Sequence, residues 1–344
     1  MIPSDHAHIY TAALTHPGMR GKNNEDRYAV SAFWTNADAR KPSVLAIVAD
    51  GIGGHRAGEV AAEIVVDTLH QLVADSNAEN PLEILQKGFA QANQAVFSRA
   101  QENRDQMGMG STCVCAWIID DRLFAASVGD SRLYLLRGNR ILQLTTDHTW
   151  IQEAIQYKII TPEEAHHHPN AHVIRRYLGS EFYTQPDFRL RLFLNESDEE
   201  SQAHQGMRLL PGDSILLCSD GLTDLVEEHE IRHALRTFEG EKALAQLIGL
   251  ANKRGGHDNI TTVLLEMPDQ STAEAPKRSQ PLKNSRRNLW IAGSVVLFLM
   301  ICLGCLVMLL LTLLWFSQPR PDVIPIPTSI SGLAWIAGWL QGSG

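Results

Sequence analysis

The sequence has few cysteines, no long apolar stretch near its first residues and no surplus of positive charge in its main body. Five cysteines in 344 residues cannot make the disulfide framework of a small secreted domain. Cys113 and Cys115 stand two apart in a strand-like stretch, so they share a face and read as small core residues. Cys302 and Cys305 lie inside a long apolar run, which argues against a redox pair. The opening residues Met1-Ile2-Pro3-Ser4-Asp5-His6 hold neither a basic nor an apolar region, so no signal peptide is expected. Internal repeats are absent. So are several signatures of nucleophilic, nucleotide-binding and zinc-dependent sites: there is no G-x-S-x-G, no P-loop and no H-E-x-x-H.

The formal net charge is −9, from 30 Lys and Arg against 39 Asp and Glu. Six cations and three anions fall after residue 267, which leaves 24 cations against 36 anions, a net of −12, in residues 1–267. Nucleic acid is excluded as a partner, because phosphate backbones require clustered Lys and Arg. A body this acidic handles phosphate only through a local reversal of charge, and bound metal is the usual device. Residues 1–267 are enough for one large domain or two small ones.

Residues 289–316 contain no Asp, Glu, Lys, Arg or His over 28 positions. As a helix they would measure about 42 Å, and a hydrocarbon core of about 30 Å needs only about 20 residues. A single transmembrane helix is expected, with Trp290 and Trp315 near its ends as interfacial anchors. Lys277, Arg278, Lys283, Arg286 and Arg287 precede it and only Arg320 follows closely, so the large N-terminal part is expected on the cytoplasmic side of the cell membrane. Residues 268–288 read as a flexible basic linker with a reach of roughly 25 Å. Residues 317–344 carry Pro325 and Pro327 and are too short for a second span, so an extracytoplasmic or interfacial tail is expected.

Within the body, residues 44–49 form a short apolar strand that ends abruptly at Asp50-Gly51. Amphipathic helices are expected over 57–73 and 82–99. Strands follow over 112–119 and 123–128 around the turn Asp120-Asp121, then over 132–136 after Gly129-Asp130-Ser131. Residues 147–190 are more polar and irregular. A strand over 214–218 runs into Asp220-Gly221; helices over 228–237 and 241–253 and a strand over 261–266 complete the body. Hairpin strands with helices in separate pairs indicate an α+β fold.

An acid thus recurs beside Gly or Asn at strand ends: Asp50-Gly51, Gly129-Asp130, Asp220-Gly221 and Asp258-Asn259, with Asn24-Glu25-Asp26 before another strand-like run. One Asp-Gly is a turn signal. Several at one sheet edge point carboxylates at a common place, where they repel unless cations neutralise them. All-oxygen ligands suit hard cations, so Mg²⁺ or Mn²⁺ is favoured over zinc.

The ordered set Asn24-Glu25-Asp26, Asp50-Gly51-Ile52-Gly53-Gly54-His55, Gly110-Ser111-Thr112, Val128-Gly129-Asp130-Ser131-Arg132, Leu144-Thr145-Thr146-Asp147-His148, Ser219-Asp220-Gly221-Leu222 and Asp258-Asn259-Ile260-Thr261 resembles the metal-dependent protein serine/threonine phosphatases of type 2C, most closely their bacterial branch. The resemblance covers residues 10–267. It implies an α-β-β-α sandwich, a binuclear Mn²⁺/Mg²⁺ centre, and hydrolysis of phosphoserine and phosphothreonine in proteins by a metal-activated water. On the same resemblance Asp50 bridges the two ions, and Asp220 and Asp258 complete the set of the first. The Gly51 carbonyl and Glu25 serve the second, Asp26 stands behind these ligands, and Asp130 helps hold a third, weaker ion. Residues 149–190 correspond to the flap over the site.

Three departures matter. The family's phosphate-clamping arginine falls at Gly21 here, flanked by Arg20 and Lys22, and Arg20 is the candidate for that role. The position after Asp50-Gly51, histidine in eukaryotic members, is Ile52, so leaving-group protonation falls to water and His55 reads as structural. His166-His167-His168 reads as a solvated loop. Two alternatives to a membrane-anchored protein phosphatase are a catalytically weak, membrane-tethered binding module and a hydrolase of small phosphoesters. Tethering would favour membrane-bound serine/threonine kinases and their substrates as partners.

Overall fold

A computed structural model of the chain describes residues 1–21, 23–35, 40–53, 57–165, 168–170 and 172–269. The expected membrane helix, its tail and most of the basic linker lie outside these residues, as do Lys22, His55, His166 and His167. No helix among the described residues is long and apolar enough to cross a membrane.

The strand Pro42–Ala49 is buried from Ser43 to Ala49, and the alternation of a strand sends its side chains into two different cores. Leu45, Ile47 and Ala49 join Cys113, Cys115 and Trp117 of the neighbouring strand Cys113–Ile119. Together they pack on Ala61, Val65 and Leu69 of the helix Ala57–Ala74 and on Leu85, Phe89 and Val96 of the helix Pro81–Glu102. Val44, Ala46 and Val48 face the other way, toward Leu133, Leu135, Ile215, Leu217 and Val263 of a second sheet. The far face of that sheet, with Tyr134, Leu136, Leu216 and Leu264, is covered by Ile231, Leu235, Leu244 and Leu247 from the helices Glu228–Thr237 and Glu241–Lys253. The layers are therefore helix, sheet, sheet, helix. Each buried Leu, Ile or Val contributes about 1.5–3 kcal/mol, and three such cores fix the sheets against each other.

The first sheet has six strands in the order Ile2–Ser4, Arg27–Trp34, Pro42–Ala49, Cys113–Ile119, Arg122–Val128, Met207–Arg208. The second has five, in the order Arg140–Gln143, Arg132–Arg137, Ser214–Cys218, Ile260–Glu266, Tyr10–His16. All neighbouring pairs are antiparallel. Cys113 and Cys115 are the core residues their spacing implies, both free thiols. The buried indole of Trp117 donates to Ser43 Oγ at 2.7 Å, so its one polar atom is satisfied. In the Asp120-Asp121 turn Asp120 takes the left-handed conformation at φ 60°, which a short polar side chain tolerates.

The two C-terminal helices have the bounds their periodicity gives, and Pro81 starts the second N-terminal helix in the first turn, where a missing N–H costs nothing. The described residues of 147–190 are more regular than their composition suggests. They include the helices Trp150–Gln156 and Pro162–Ala165, and Thr149 caps the first by accepting from Gln152 N at 3.3 Å. His168 is not the solvated residue expected, because its ring stacks on Trp150 with centroids 4.6 Å apart.

Candidate metal centre

Strand register brings the acids to one end of both sheets. In the first sheet Arg27 pairs with Ala49, Val48 with Val114, and Cys113 with Val128. Asp26, Asp50 and Asp130 therefore leave the same edge. In the second sheet Cys218 pairs with both Arg132 and Thr262, which puts Asp220 and Asp258 at the matching edge.

Backbone packing then holds each acid in place. After Asp50 the chain pairs as Gly51–Ile52 with Gly110–Ser111. Ser111 Oγ donates to Asp50 O at 3.0 Å, Thr112 N donates to the same carbonyl at 2.8 Å, and Asp50 N donates to Thr112 Oγ1 at 3.2 Å. A Cβ on Gly51 would lie 2.1 Å from Gly58 O, so only glycine lets this segment meet the first helix. A Cβ on Gly58 would in turn lie 2.6 Å from Gly51 O and 2.9 Å from Glu25 Cδ. The Gly51 carbonyl and the Glu25 carboxyl therefore share one small cradle. Across the site, a Cβ on Gly221 would lie 2.0 Å from Asn259 O, and one on Gly18 2.2 Å from Asp258 O. Asn259 Oδ1 accepts from Glu25 N at 2.7 Å while its Nδ2 donates to Pro17 O and Asn23 O, both at 3.1 Å. One asparagine thus ties together Pro17, Asn23 and Glu25. Arg20 itself is exposed, two residues beyond Gly18.

The electrostatics are those of crowded, dry carboxylates. Burial pushes Asp26 up to about 7; hydrogen bonds from Thr261 and Ser219 oppose that, and the charges of Asp220 and Asp258 add to it. Burial, then the charges of Asp26, Asp220 and Asp130, hold Asp50 well above the usual carboxylate range. Asp130 is raised by burial and by Asp220 and Asp147. Burial and Asp224 raise Asp220 to about 6, against a hydrogen bond with Asp50. Asp26, Asp50, Asp130, Asp220 and Asp258 are therefore one interacting cluster.

Among the described residues no three carboxyl, imidazole or thiol groups already surround a common point as finished ligands. The contacts are instead those of a proton-sharing cluster, with Asp50 and Asp220 hydrogen bonded. Yet Asp26 Oδ1, Asp130 Oδ1 and Asp220 Oδ1 are buried without a hydrogen-bond partner. Orphaned anionic oxygens beside the Gly51–Glu25 cradle fit a hard divalent cation, which takes oxygen ligands and cancels the repulsion.

Several residues beyond the acids and glycines legible in the sequence build this site. Ser219 Oγ donates to Asp26 Oδ2 at 2.8 Å and accepts from Thr261 N at 2.9 Å, tying two strand ends to one acid. Asp224, one helical turn after Asp220, lies 3.2 Å from His172 Nδ1 and 3.4 Å from His257 Nε2. Its spacing of four from Asp220 was a readable signal. The Ser219 and Asn259 contacts join residues far apart in the chain and had none.

Residues 18–264 match the family described as Protein phosphatase 2C. The serine/threonine protein phosphatase PstP of Mycobacterium tuberculosis is 37% identical over 259 residues, covering 75% of this chain and 45% of that protein. The chain thus spans about half the length of that curated relative. The protein phosphatase PhpP of Streptococcus pneumoniae is 33% identical over 262 residues, 75% of this chain and 97% of that one. Among solved structures, the serine/threonine phosphatase of S. agalactiae superposes with a TM-score of 0.64 at 30% identity, over 76% of this chain and 100% of that one. The catalytic domain of PstP in complex with two manganese ions gives 0.61 at 33% identity, over 76% and 99%.

The raised acids make stability depend on pH with a definite sign. A carboxyl whose folded pKa lies above its unfolded value favours folding at low pH, and that contribution is lost as pH rises through the folded pKa. With EDTA present, the thermal unfolding midpoint falls as pH rises through about 6 and about 7, the values of Asp220 and Asp26. Mn²⁺ raises the midpoint most at the alkaline end, where protons no longer compete. A flat midpoint across this window in EDTA contradicts the buried cluster.

Proposed function

Because the chain belongs to the protein phosphatase 2C family, as the match over residues 18–264 shows, we propose that it hydrolyses phosphoserine and phosphothreonine in proteins with Mn²⁺ or Mg²⁺ as cofactor. The observation that carries this reading is the meeting of Asp26, Asp50, Asp130, Asp220 and Asp258 in one cluster beside the Gly51–Glu25 cradle. Asp50, central to the cluster, would serve two ions. Asp220 and Asp258 would complete the donors of one, and the Gly51 carbonyl and Glu25 those of the other. Asp130 would help hold a third, weaker ion.

Ions bound there would supply Lewis acidity, which lowers the pKa of water toward neutrality and offsets charge on the phosphoryl oxygens. The chain's own residues do the rest. Asp26, fixed by the Ser219 hydroxyl, keeps its other oxygen turned away from solvent and orients the ligands around it. Arg20, exposed on the loop that Gly18 and Asn259 seat against Asp258, offers a guanidinium to the substrate phosphate. The backbone bonds around Asp50 hold the site rigid, so little reorganisation accompanies the reaction.

On the same reading, residues 289–316 anchor the chain as a single membrane span with residues 1–267 in the cytoplasm. That tether favours phosphoproteins at the membrane, including membrane-bound serine/threonine kinases and their substrates.

With a phosphothreonine peptide, the full chain releases phosphate in Mn²⁺ or Mg²⁺ and stops in EDTA. Asp26→Asn lowers the rate about 10- to 100-fold, as loss of an orienting partner does, and Asp50→Ala and Asp220→Asn lower it further. Release that survives EDTA or Asp50→Ala contradicts the reading. Removing residues 289–344 moves the protein from the membrane to the soluble fraction of a cell lysate. An unchanged distribution contradicts the anchor.

A further inference from the structure

His148 and Asp187 mark the two feet of the flap region, and neither is among the proposed cation ligands. Both are buried, and His148 Nε2 lies 3.3 Å from Asp187 Oδ2. His148 Nδ1 accepts a hydrogen bond from Gly129 N at 3.0 Å, so its proton sits on Nε2 and points at Asp187. The backbone adds a second tie, with His148 N donating to Gly129 O at 2.9 Å. Gly129 is thus gripped through both its N–H and its C=O by one residue. Its φ is 104°, and a Cβ there would lie 2.5 Å from Thr112 Cβ, the residue that holds Asp50 N. The residue after Gly129 is Asp130, whose Oδ1 is one of the orphaned oxygens.

Asp187 is anchored with equal care. Its backbone N–H and C=O exchange hydrogen bonds with Ser127 at 2.8 and 3.0 Å, two residues before Gly129. Burial alone would raise its carboxyl; hydrogen bonds from His148 and Arg189 outweigh that and hold it below the usual carboxylate range. Arg189 also pairs with Asp198 at 3.0 Å, outside the flap. On the other foot, Arg175 N donates to His148 O at 2.7 Å, so the flap hangs from the same imidazole-bearing residue.

We propose that His148 and Asp187 are a positioning pair that sets Asp130 through Gly129 and couples the base of the flap to the cation Asp130 helps to hold. The pair acts as the outer partner of a metal ligand commonly does, by fixing the direction of a donor it does not itself supply. Coupling is reciprocal, so a cation at Asp130 steadies the segment that hangs from His148. The inference rests on the reading that Asp130 binds a cation.

The test is Mn²⁺ titration calorimetry on the full chain and on substitutions at His148 chosen by which bond they keep. Asn places an oxygen near the Nδ1 position and keeps the bond from Gly129; Gln reaches toward Asp187 but gives up Gly129; Phe keeps neither. The weakest class of Mn²⁺ sites loses about 10- to 100-fold in affinity in His148→Phe and His148→Gln, and loses less in His148→Asn, which keeps the Gly129 bond but not Asp187. Amide hydrogen exchange over residues 150–165 slows on adding Mn²⁺ in the unaltered chain and no longer does so in His148→Phe. Asp187→Ala keeps both backbone bonds to Ser127 but leaves His148 Nε2 without its acceptor, and it shows a loss of the size expected for His148→Asn if a His148 variant fails to fold. Folded variants whose Mn²⁺ isotherms superimpose on that of the unaltered chain overturn the pair's role. An unaltered chain that takes up no Mn²⁺ overturns the cation reading beneath it.

Discussion

Repulsion among carboxylates held away from water is the constraint on which the rest of this structure depends. Five aspartates meet where two sheets end, and in Asp26, Asp50, Asp130 and Asp220 burial and neighbouring charge both favour the protonated form. A fold that only needed stability would place such residues outward. Here the surrounding chain works against that tendency with close backbone contacts, buried hydroxyls and an asparagine with three partners. Stored repulsion of this kind is what a divalent cation relieves, so affinity for the cation is built from the instability of the site without it.

The sandwich supplies the rigidity this demands. Alternation along Pro42–Ala49 commits the strand to two cores at once, so the position of Asp50 is set by packing on both faces of its sheet. The edge of the second sheet is fixed the same way, through Leu216 on the helix side and Leu217 on the inner side, just before Asp220. Glycine matters most where chains nearly touch. Gly51 against Gly58 and Gly221 against Asn259 leave no room for a single added carbon. The net negative charge of residues 1–267 fits a site in which bound metal, and not the protein, carries the positive charge.

Much of this was legible in the sequence, for reasons that differ between elements. Helices Glu228–Thr237 and Glu241–Lys253 show their apolar period directly, and the strand before Asp50 ends at an unmistakable Asp-Gly. The edge strand Tyr10–His16 gave no such signal, because most of its residues are half exposed and it mixes polar and apolar residues on both faces. The short helices after Thr149 were hidden by composition, since capping and the Trp150–His168 stack, not periodicity, hold that segment. Within the site, the acids announced themselves by residue type, whereas Ser219, Thr261, Asn259 and His148 act through partners distant in sequence. A serine before an aspartate looks like any turn until the fold brings Asp26 to its hydroxyl.

Protons hold this cluster together until cations replace them. That exchange is tested most directly by counting the protons released when Mn²⁺ binds, using calorimetry in buffers of differing ionisation enthalpy. Net release is expected near pH 6, where Asp26 and Asp220 still carry protons, and markedly less near pH 8. Full binding of Mn²⁺ with no proton released at either pH would contradict the exchange.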